Sequence, residues 1–344
     1  MHSISFYVFI IGILLLCLFV GQKWKNIMYS DNTKDEYEMI KDYLLNDSPL
    51  YGYNRPKIWI HTTYDINARK WKNFQSRNST DLNQPYLYLT IQSIIRHCGN
   101  DFHVCLIDDE SFLKLIPNWD IDLVSVAEPM RSQFRDIAML QLLYTYGGFV
   151  VPNSFLCTKN LVDIYRENTE SITGTSTEWF VVESRTTTKD NISFLPDITF
   201  TGSIKNNEHI LSFITVLKSK WNGHFSQEME FQGFKNHWLL DQIEKQPQNI
   251  KLVNGEYFGI KKQSGKPILL DDLMEEAFLD VDMKKIYGIY IPKDELLKRP
   301  KYQWFAILPY EDVLNSNIIL SKIFKSSIID STPISSEIKS LIAL

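Results

Sequence analysis

Residues Met130 to Leu161 read MRSQFRDIAMLQLLYTYGGFVVPNSFLCTKNL, which places a helical pattern, a glycine pair and an apolar run in direct succession. The spacing of the apolar residues predicts a helix over about residues 132–146. Gly147 and Gly148 end this helix, because glycine readily adopts the left-handed conformation at a helix C-terminus. The apolar residues that follow predict a strand over residues 149–155. A helix that runs directly into a strand is a building unit of α/β folds.

The same alternation of strands and helices extends along the chain on both sides of this segment. Short apolar runs predict further strands at residues 57–63, 103–108, 179–183, 198–204 and 285–291. Helical patterns lie at residues 86–97, 111–115, 208–221 and 230–245. We therefore expect an α/β domain with a mainly parallel sheet flanked by helices.

The N-terminus predicts a membrane anchor. Residues 4–20 (ISFYVFIIGILLLCLFV) contain no charge and no proline, and a helix of this length is just long enough to cross a thin bilayer core of about 27 Å. A cleaved signal peptide is the alternative, but no Lys or Arg precedes the apolar run and no small-residue cleavage site follows it. Lys23 and Lys25 follow the run and favour the cytoplasmic side for the rest of the chain.

This anchor sets the expected domain organisation. We expect residues 1–25 to be the transmembrane anchor and the polar residues 26–50 to be a stalk. Residues 51–310 then form the α/β domain, and residues 311–344 form a C-terminal helical tail. Attachment to a membrane through residues 4–20 is part of this hypothesis.

Composition argues against nucleic acid as a partner. The 344 residues contain 36 Lys and Arg against 41 Asp and Glu, for a net charge of -5. Binding to a phosphate backbone normally uses an excess of basic residues, which this chain lacks. The four cysteines show no CxxC or zinc-ligand spacing, so neither disulfides nor a structural zinc site is expected.

Ligand-binding residues are expected just after the predicted strands, because open parallel sheets bind ligands beyond the carboxyl ends of their strands. The residues at these positions are His61, Thr62, Asp108, Asp109, Asn153 and Ser154. Some of these assignments have alternatives. His61 could instead hydrogen-bond a backbone carbonyl, and Asp108 and Asp109 could cap the short helix predicted at residues 111–115.

Residues 130–161 resemble the helix, YGG and strand core of capsular polysaccharide synthesis proteins and of related glycosyltransferases with a DXD sugar-binding region. In that family a helix carrying SDxxR leads into LxxYGG, and the next strand delivers DxD or DxT to the metal and the sugar diphosphate. The segment PKIWIH at Pro56–His61 is similar to the family's opening strand, PKIIH or PKIIW, and CLIDD at Cys105–Asp109 adds to the likeness. The resemblance covers about residues 55–165, and residues 254–305 look like relatives found in large DNA viruses.

The resemblance implies a GT-A-like (Rossmann-like) fold and a nucleotide-sugar donor. Asp136 falls on the family's helix aspartate, which implies contact with the nucleotide sugar. The family arginine falls on Met139, and the two carboxylate positions of the metal motif fall on Pro152 and Ser154, with Asn153 between them. A divalent ion that bridges a sugar diphosphate needs at least one hard anionic oxygen ligand, so the sequence argues against the usual bound metal.

Three hypotheses follow from the loss of this motif. In the first, the domain is a transferase in which Arg135, with Arg131 one turn away on the same helix face, replaces the metal at the departing diphosphate. In the second, the fold keeps a nucleotide-sugar or glycan site but has lost catalysis. In the third, Arg131, Arg135 and Asp136 form a salt-bridged helix face with a structural role.

Two further residues are weaker candidates. Asp197 could be a base that deprotonates an acceptor hydroxyl, or it could be a turn residue after Pro196. Trp304 could stack on a sugar ring or a nucleotide base, or it could lie in the core.

The function expected from the sequence is that of a membrane-anchored glycosyltransferase, which moves a sugar from a nucleotide-sugar donor to a glycan or lipid-linked acceptor. His61, Thr62 and Asp108 would line the nucleotide side, Asp136 would orient the donor, and Arg135 would stabilise the leaving group. The alternative is a catalytically inactive, glycosyltransferase-like scaffold or sugar-binding protein. A transferase would open these side chains to a cleft, whereas a scaffold would pair or bury them. No GxSxG turn supports a serine hydrolase.

Overall fold

The computed structural model describes residues 55–62, 84–169, 178–187, 192–220, 228–275 and 278–328. All of them belong to one structural unit of the chain. The predicted anchor and stalk lie outside these residues. Within the described ranges, no helix is both long enough and apolar enough to cross a membrane.

Eight strands are found in the described residues. They are β1 (Lys57–His61), β2 (His103–Ile107), β3 (Gly148–Val150), β4 (Phe155–Cys157), β5 (Trp179–Thr187), β6 (Ile192–Ser203), β7 (Lys251–Val253) and β8 (Gly288–Tyr290). Six of them form the central sheet, in the order β2-β1-β3-β6-β5-β7, and β4 pairs with β8 in a separate two-stranded sheet.

The central sheet is mostly parallel. β1 runs parallel to β2, from the pair Lys57 and His103 to the pair His61 and Ile107, and it runs parallel to β3 on its other side. β6 is antiparallel to both β3 and β5, whereas β5 and β7 are parallel. Five of the six strands therefore share one direction. This confirms the expected α/β fold with a mainly parallel sheet, and β6 is the reversed strand that the sequence did not reveal.

Eleven helices accompany these strands in the described ranges. They are α1 (Tyr86–Cys98), α2 (Ser111–Leu115), α3 (Met130–Tyr146), α4 (Val162–Thr169), α5 (Glu208–Lys220), α6 (Glu228–Lys245), α7 (Leu270–Met274), α8 (Lys293–Lys298), α9 (Gln303–Ala306), α10 (Tyr310–Asn315) and α11 (Ile319–Ile328). A 3-10 turn, Gly255–Phe258, follows β7. Every helix predicted from the apolar spacing is present, with ends that differ by at most two residues.

The core includes the central strand β1. The side chains of Ile58, Trp59 and Ile60 are fully buried, as expected for a parallel strand that is covered on both faces. The indole nitrogen of Trp59 donates a hydrogen bond to the carbonyl of Gly147 at 2.9 Å. This bond ties β1 to the glycine pair that ends α3.

The single strand expected at residues 149–155 is in fact two short strands. β3 ends at Val150, a turn follows Pro152, and β4 then leaves the central sheet to pair antiparallel with β8. Pro152 explains the break, because it has no backbone N–H for a sheet hydrogen bond. The strand expected at residues 285–291 is reduced to β8.

The C-terminal helices pack into the same domain. Val313 of α10 and Leu320 and Phe324 of α11 are fully buried. Ser327 donates a hydrogen bond from Oγ to the carbonyl of Cys157, at the end of β4, at 2.6 Å. The tail expected from residue 311 is therefore helical as far as it is described, but it forms part of the domain rather than an appendage to it.

Candidate functional site

The candidate site lies at the carboxyl end of the parallel strands. His61 is the last residue of β1, Asp109 follows β2, and Asn153 follows β3. β6 brings Asp197 to the same edge. It runs antiparallel to β3 and pairs Thr201 with Val150, the last residue of β3, so the residues of β6 that precede Thr201 extend beyond the carboxyl end of β3. Residues that are far apart in the sequence therefore meet at one edge of the sheet.

His61, Asp109 and Arg135 form one hydrogen-bonded cluster. The Arg135 guanidinium donates to Asp109 through Nε at 2.8 Å and through Nη2 at 2.7 Å, which makes the pair bidentate. His61 Nε2 lies 2.8 Å from Asp109 Oδ1, and the His61 ring stacks on Phe112 with 5.8 Å between ring centres. His61 is thus held by a carboxylate and not by a backbone carbonyl.

The protonation states of this cluster follow from burial and hydrogen bonding. Burial opposes ionisation of Asp109, but hydrogen bonds from Arg135 and His61 outweigh it and hold the pKa of Asp109 well below its usual range. Burial lowers the pKa of His61, and the hydrogen bond with Asp109 offsets only part of that effect. His61 is therefore neutral at neutral pH. Because an ionised carboxylate only accepts hydrogen bonds, the His61 proton lies on Nε2.

We expect the free energy of unfolding to fall as the pH drops below about 6.5, the pKa of an unperturbed histidine. Below that pH the unfolded chain binds a proton at His61, whereas the folded protein, in which burial lowers this pKa, does not until a lower pH. Burial lowers the pKa values of His97 and His103 too, so both act in the same direction.

The His61→Gln variant isolates the contribution of His61. Urea unfolding from about pH 7.5 to about pH 5 should show that this variant loses less stability on acidification than the wild type, because two of the three histidines remain. An unchanged pH dependence would show that the folded protein does not depress the pKa of His61.

Asn153 connects this edge to a lysine that the sequence interpretation missed. Its side-chain oxygen accepts a hydrogen bond from Lys293 Nζ at 3.0 Å, and its amide nitrogen lies 3.5 Å from Thr62 Oγ1. Thr90 Oγ1 donates to the Asn153 carbonyl at 2.5 Å. Lys293 is the second residue after the strand predicted at residues 285–291, so the rule that selected the other strand ends could have selected it.

The residues at the family's metal positions do not suit a divalent cation. Pro152 offers no side-chain oxygen, the Asn153 oxygen is bonded to an ammonium group, and Ser154 offers only a hydroxyl. That hydroxyl is buried and has no hydrogen-bond partner among the described residues. The described ranges also contain no group of three or more His, Cys, Asp and Glu side chains that could hold a metal. The three positions thus supply no anionic oxygen, the ligand that Mg²⁺ or Mn²⁺ prefers.

Asp136 and Asp197 are joined by a second lysine, Lys235 of α6. Its Nζ lies 2.7 Å from Asp136 Oδ2 and 3.3 Å from Asp197 Oδ1, and its side chain is only 2% exposed. Thr199 Oγ1 donates a further hydrogen bond to Asp197 Oδ2. The other oxygen of Asp136, Oδ1, has no partner in the described part of the chain, and the Asp136 side chain is 26% exposed.

These contacts keep both Lys235 and Asp197 charged. Burial lowers the pKa of Lys235, but the charges of Asp136 and Asp197 outweigh burial and raise it above the ordinary value. Burial raises the pKa of Asp197, but the charge of Lys235 and a hydrogen bond from Thr199 outweigh burial and lower it. A carboxylate with a lowered pKa is a poor general base, because it binds a proton weakly. The structure therefore favours Asp197 as a counter-ion over the catalytic base expected from the sequence.

The remaining candidates have other contacts. Asp108 Oδ1 accepts hydrogen bonds from the Ser111 backbone nitrogen at 2.9 Å and from its Oγ at 2.6 Å, so it is bonded to the first residue of α2, whose N-cap residue is Glu110. Arg131 Nε donates to the carbonyl of Val126 at 2.7 Å. The three charged residues of α3 are Arg131, Arg135 and Asp136. Each bonds to a different part of the chain, and none bonds to another of the three. Trp304 is 42% exposed, so the alternative interpretation that it lies in the core is wrong.

Comparison with known proteins finds a weak likeness to a solved glycosyltransferase structure. No protein-family model matches the chain, and no curated protein matches it. Among solved structures, the chain is similar to "PaToxG Glycosyltransferase", with 14% sequence identity and a TM-score of 0.34 over 56% of this chain and 70% of that one. The capsular polysaccharide family and a viral origin receive no support from these comparisons and stay predictions.

Proposed function

We propose that the chain is a glycosyltransferase-like protein that binds a nucleotide sugar at the carboxyl edge of its sheet and transfers the sugar to a glycan or lipid-linked acceptor. The observation that supports this best is the convergence of Arg135, Asp136 and Asn153 at that edge. Arg135 supplies a basic group for a diphosphate, and Asp136 supplies a carboxylate for a sugar hydroxyl. The resemblance of residues 130–161 supports the same function.

In the proposed reaction, the bond between the anomeric carbon and the diphosphate oxygen breaks, and its electron pair leaves with the nucleoside diphosphate. The acceptor hydroxyl oxygen forms the new bond to the anomeric carbon. The hydroxyl proton passes to Asp136 Oδ1, which has no partner among the described residues. Asp136 suits this role better than Asp197, which is buried, accepts a hydrogen bond from Thr199 at Oδ2 and lies in ionic contact with Lys235 at Oδ1.

The anchor predicted at residues 4–20 gives the proposed reaction a location. We propose that it holds the domain at a membrane surface, on the cytoplasmic side that Lys23 and Lys25 favour. A lipid-linked acceptor in the same membrane would then be present at a raised local concentration without any further contact.

A binding protein without catalysis is the second candidate, and one feature of the site favours it. Arg135 and Asp136 are already paired with Asp109 and Lys235, and Ser154 is fully buried. Paired and buried side chains are what we expect of a scaffold or a nucleotide-sugar-binding protein. Because both candidates would bind a donor, turnover decides between them.

Calorimetry on the full-length protein in detergent, with UDP-, GDP- and TDP-sugars, tests donor binding, and release of nucleoside diphosphate tests turnover. We expect Asp136→Asn to keep donor binding and to lower turnover by about 10²- to 10⁴-fold, the contribution typical of a general base. The control is Asp241→Asn, which changes an aspartate of α6 that is 48% exposed and should affect neither quantity.

Melting temperatures establish that both variants are folded before their kinetics are compared. Donor binding without turnover in the wild type would favour the binding protein over the transferase. If no donor binds to the folded wild type, both candidates are wrong.

A further inference from the structure

We propose that Lys293 takes the place of a divalent cation and neutralises the diphosphate of the donor. This inference rests on the proposed function and adds a residue to which the sequence resemblance assigns no role. It predicts a nucleoside diphosphate site that works without metal.

Lys293 contacts the altered metal motif directly. Its ammonium nitrogen lies 3.0 Å from Oδ1 of Asn153, the middle residue of the three motif positions. Asn153 is only 4% exposed, and Thr62 and Thr90 contact its side-chain amide and its backbone carbonyl. The lysine is therefore held in place by a buried neutral group that has contacts of its own.

The charges around Lys293 favour an anionic ligand. Arg135, on α3, is positive and engages both oxygens of Asp109, and His61, on β1, is neutral. Burial lowers the pKa of Lys293 and Arg135 lowers it further, whereas the charge of Asp294, on the same helix, opposes both effects without cancelling them. A partly buried cation whose charge is only partly compensated is stabilised by an anion such as a diphosphate.

The ammonium group also has hydrogen-bond donors to offer. A lysine carries three N–H donors, and the described residues engage one of them, through Asn153. Two donors remain for the oxygens of a diphosphate. Charge-assisted hydrogen bonds of this kind are about twice as strong as neutral ones.

The other basic side chains near this edge already have partners. Arg135 is bonded to both oxygens of Asp109, and Lys235 lies between two carboxylates. Arg131 donates to backbone carbonyls of the loop before α3. In the described part of this edge, Lys293 is thus the basic residue that is bonded to a neutral side chain, and not to a carboxylate or to backbone carbonyls alone.

The test measures binding of UDP and GDP, with UMP and GMP as shorter comparisons, to the full-length protein by calorimetry in EDTA and in Mn²⁺. We expect the wild type to bind a diphosphate equally well in both conditions. We expect Lys293→Met to weaken diphosphate binding in EDTA by roughly 10- to 100-fold. Binding of the monophosphate should weaken much less, because it lacks the second phosphate, and a purely structural role would not distinguish the two ligands.

Two further lysine variants serve as controls for this result. Lys293→Arg keeps the positive charge and should retain most of the diphosphate affinity. Lys245→Met changes a lysine of α6 that is 66% exposed and should leave binding unchanged.

A change at Asn153 keeps the proposal testable if Lys293→Met does not fold. Asn153→Asp retains the lysine but places a carboxylate against its ammonium group, and it should therefore weaken diphosphate binding in EDTA.

The proposal is overturned if the wild type binds UDP or GDP only with Mn²⁺. It is also overturned if Lys293→Met or Asn153→Asp, when folded, binds as tightly as the wild type. If the wild type binds neither nucleotide in either condition, the proposed function fails as well.

Discussion

Replacing Lys235 with methionine is expected to lower the free energy of unfolding by about 3–5 kcal/mol at neutral pH, the range found when one member of a buried ion pair is removed. The Lys235 side chain is 2% exposed and lies between Asp136 and Asp197. Methionine fills a similar volume, but it leaves two carboxylates close together without a counter-charge. Urea unfolding of the wild type and of Lys235→Met measures the difference.

Two comparisons separate the effect of charge from that of packing. Lys245→Met removes a lysine of the same helix that is 66% exposed and paired with Asp241, and it should change stability by less than about 0.5 kcal/mol. Adding Asp197→Asn to Lys235→Met removes one of the unpaired charges and should recover part of the loss. A loss in Lys235→Met as small as that in Lys245→Met would show that the ion pairs of Lys235 contribute little.

The deficit of Lys235→Met should also shrink in acid. In the wild type, Lys235 lowers the pKa of Asp197. The stability that this lowering provides is therefore present above about pH 3.9, the pKa of an unperturbed aspartate, and is lost as the pH falls through the folded-state value. Without Lys235, the carboxylates take up protons more readily. The two unfolding free energies should then approach each other as the pH falls from about 7 to about 3.

Much of the fold was predictable because the patterns that specify it are local. The apolar spacing over residues 130–146 specifies α3, and the run Ile58 to Ile60 specifies a strand that is buried on both faces. The split between β3 and β4 was not predictable in this way. It depends on pairing with β8, more than 130 residues later in the chain, and strand pairing over such separations leaves no signal in a short window.

The edge that holds the candidate site was predictable, but the partners of its residues were not. The expectation that ligand-binding residues follow parallel strands selected His61, Asp109 and Asn153, because it needs only the positions at which the predicted strands end. Lys235 bonds to Asp136 across 99 positions, and Lys293 bonds to Asn153 across 140. A lysine on a helix is normally solvated, so nothing in the sequence around Lys235 indicates that its side chain is buried.

Gly148→Ala is expected to lower the free energy of unfolding by about 3 kcal/mol or more, through backbone strain and overpacking. Gly148 has a φ of 108°, which residues with a side chain rarely adopt, and a Cβ there would lie 2.3 Å from the backbone carbonyl oxygen of Lys57 in β1. The oxygen belongs to a central strand, so it cannot move aside without disturbing the sheet. Urea unfolding of the variant measures the loss.

Gly233→Ala is the matched control for this prediction. Gly233 lies inside α6, and a Cβ added there meets nothing within 4 Å, so the substitution should raise the stability by about 0.5–1 kcal/mol. Because β3 leads to Asn153, forcing β3 away from β1 also moves Asn153 away from Lys293. Gly148→Ala should therefore lose UDP or GDP affinity together with stability, whereas Gly233→Ala should keep both. Equal changes in stability in the two variants would show that the glycine pair does not hold β3 against β1.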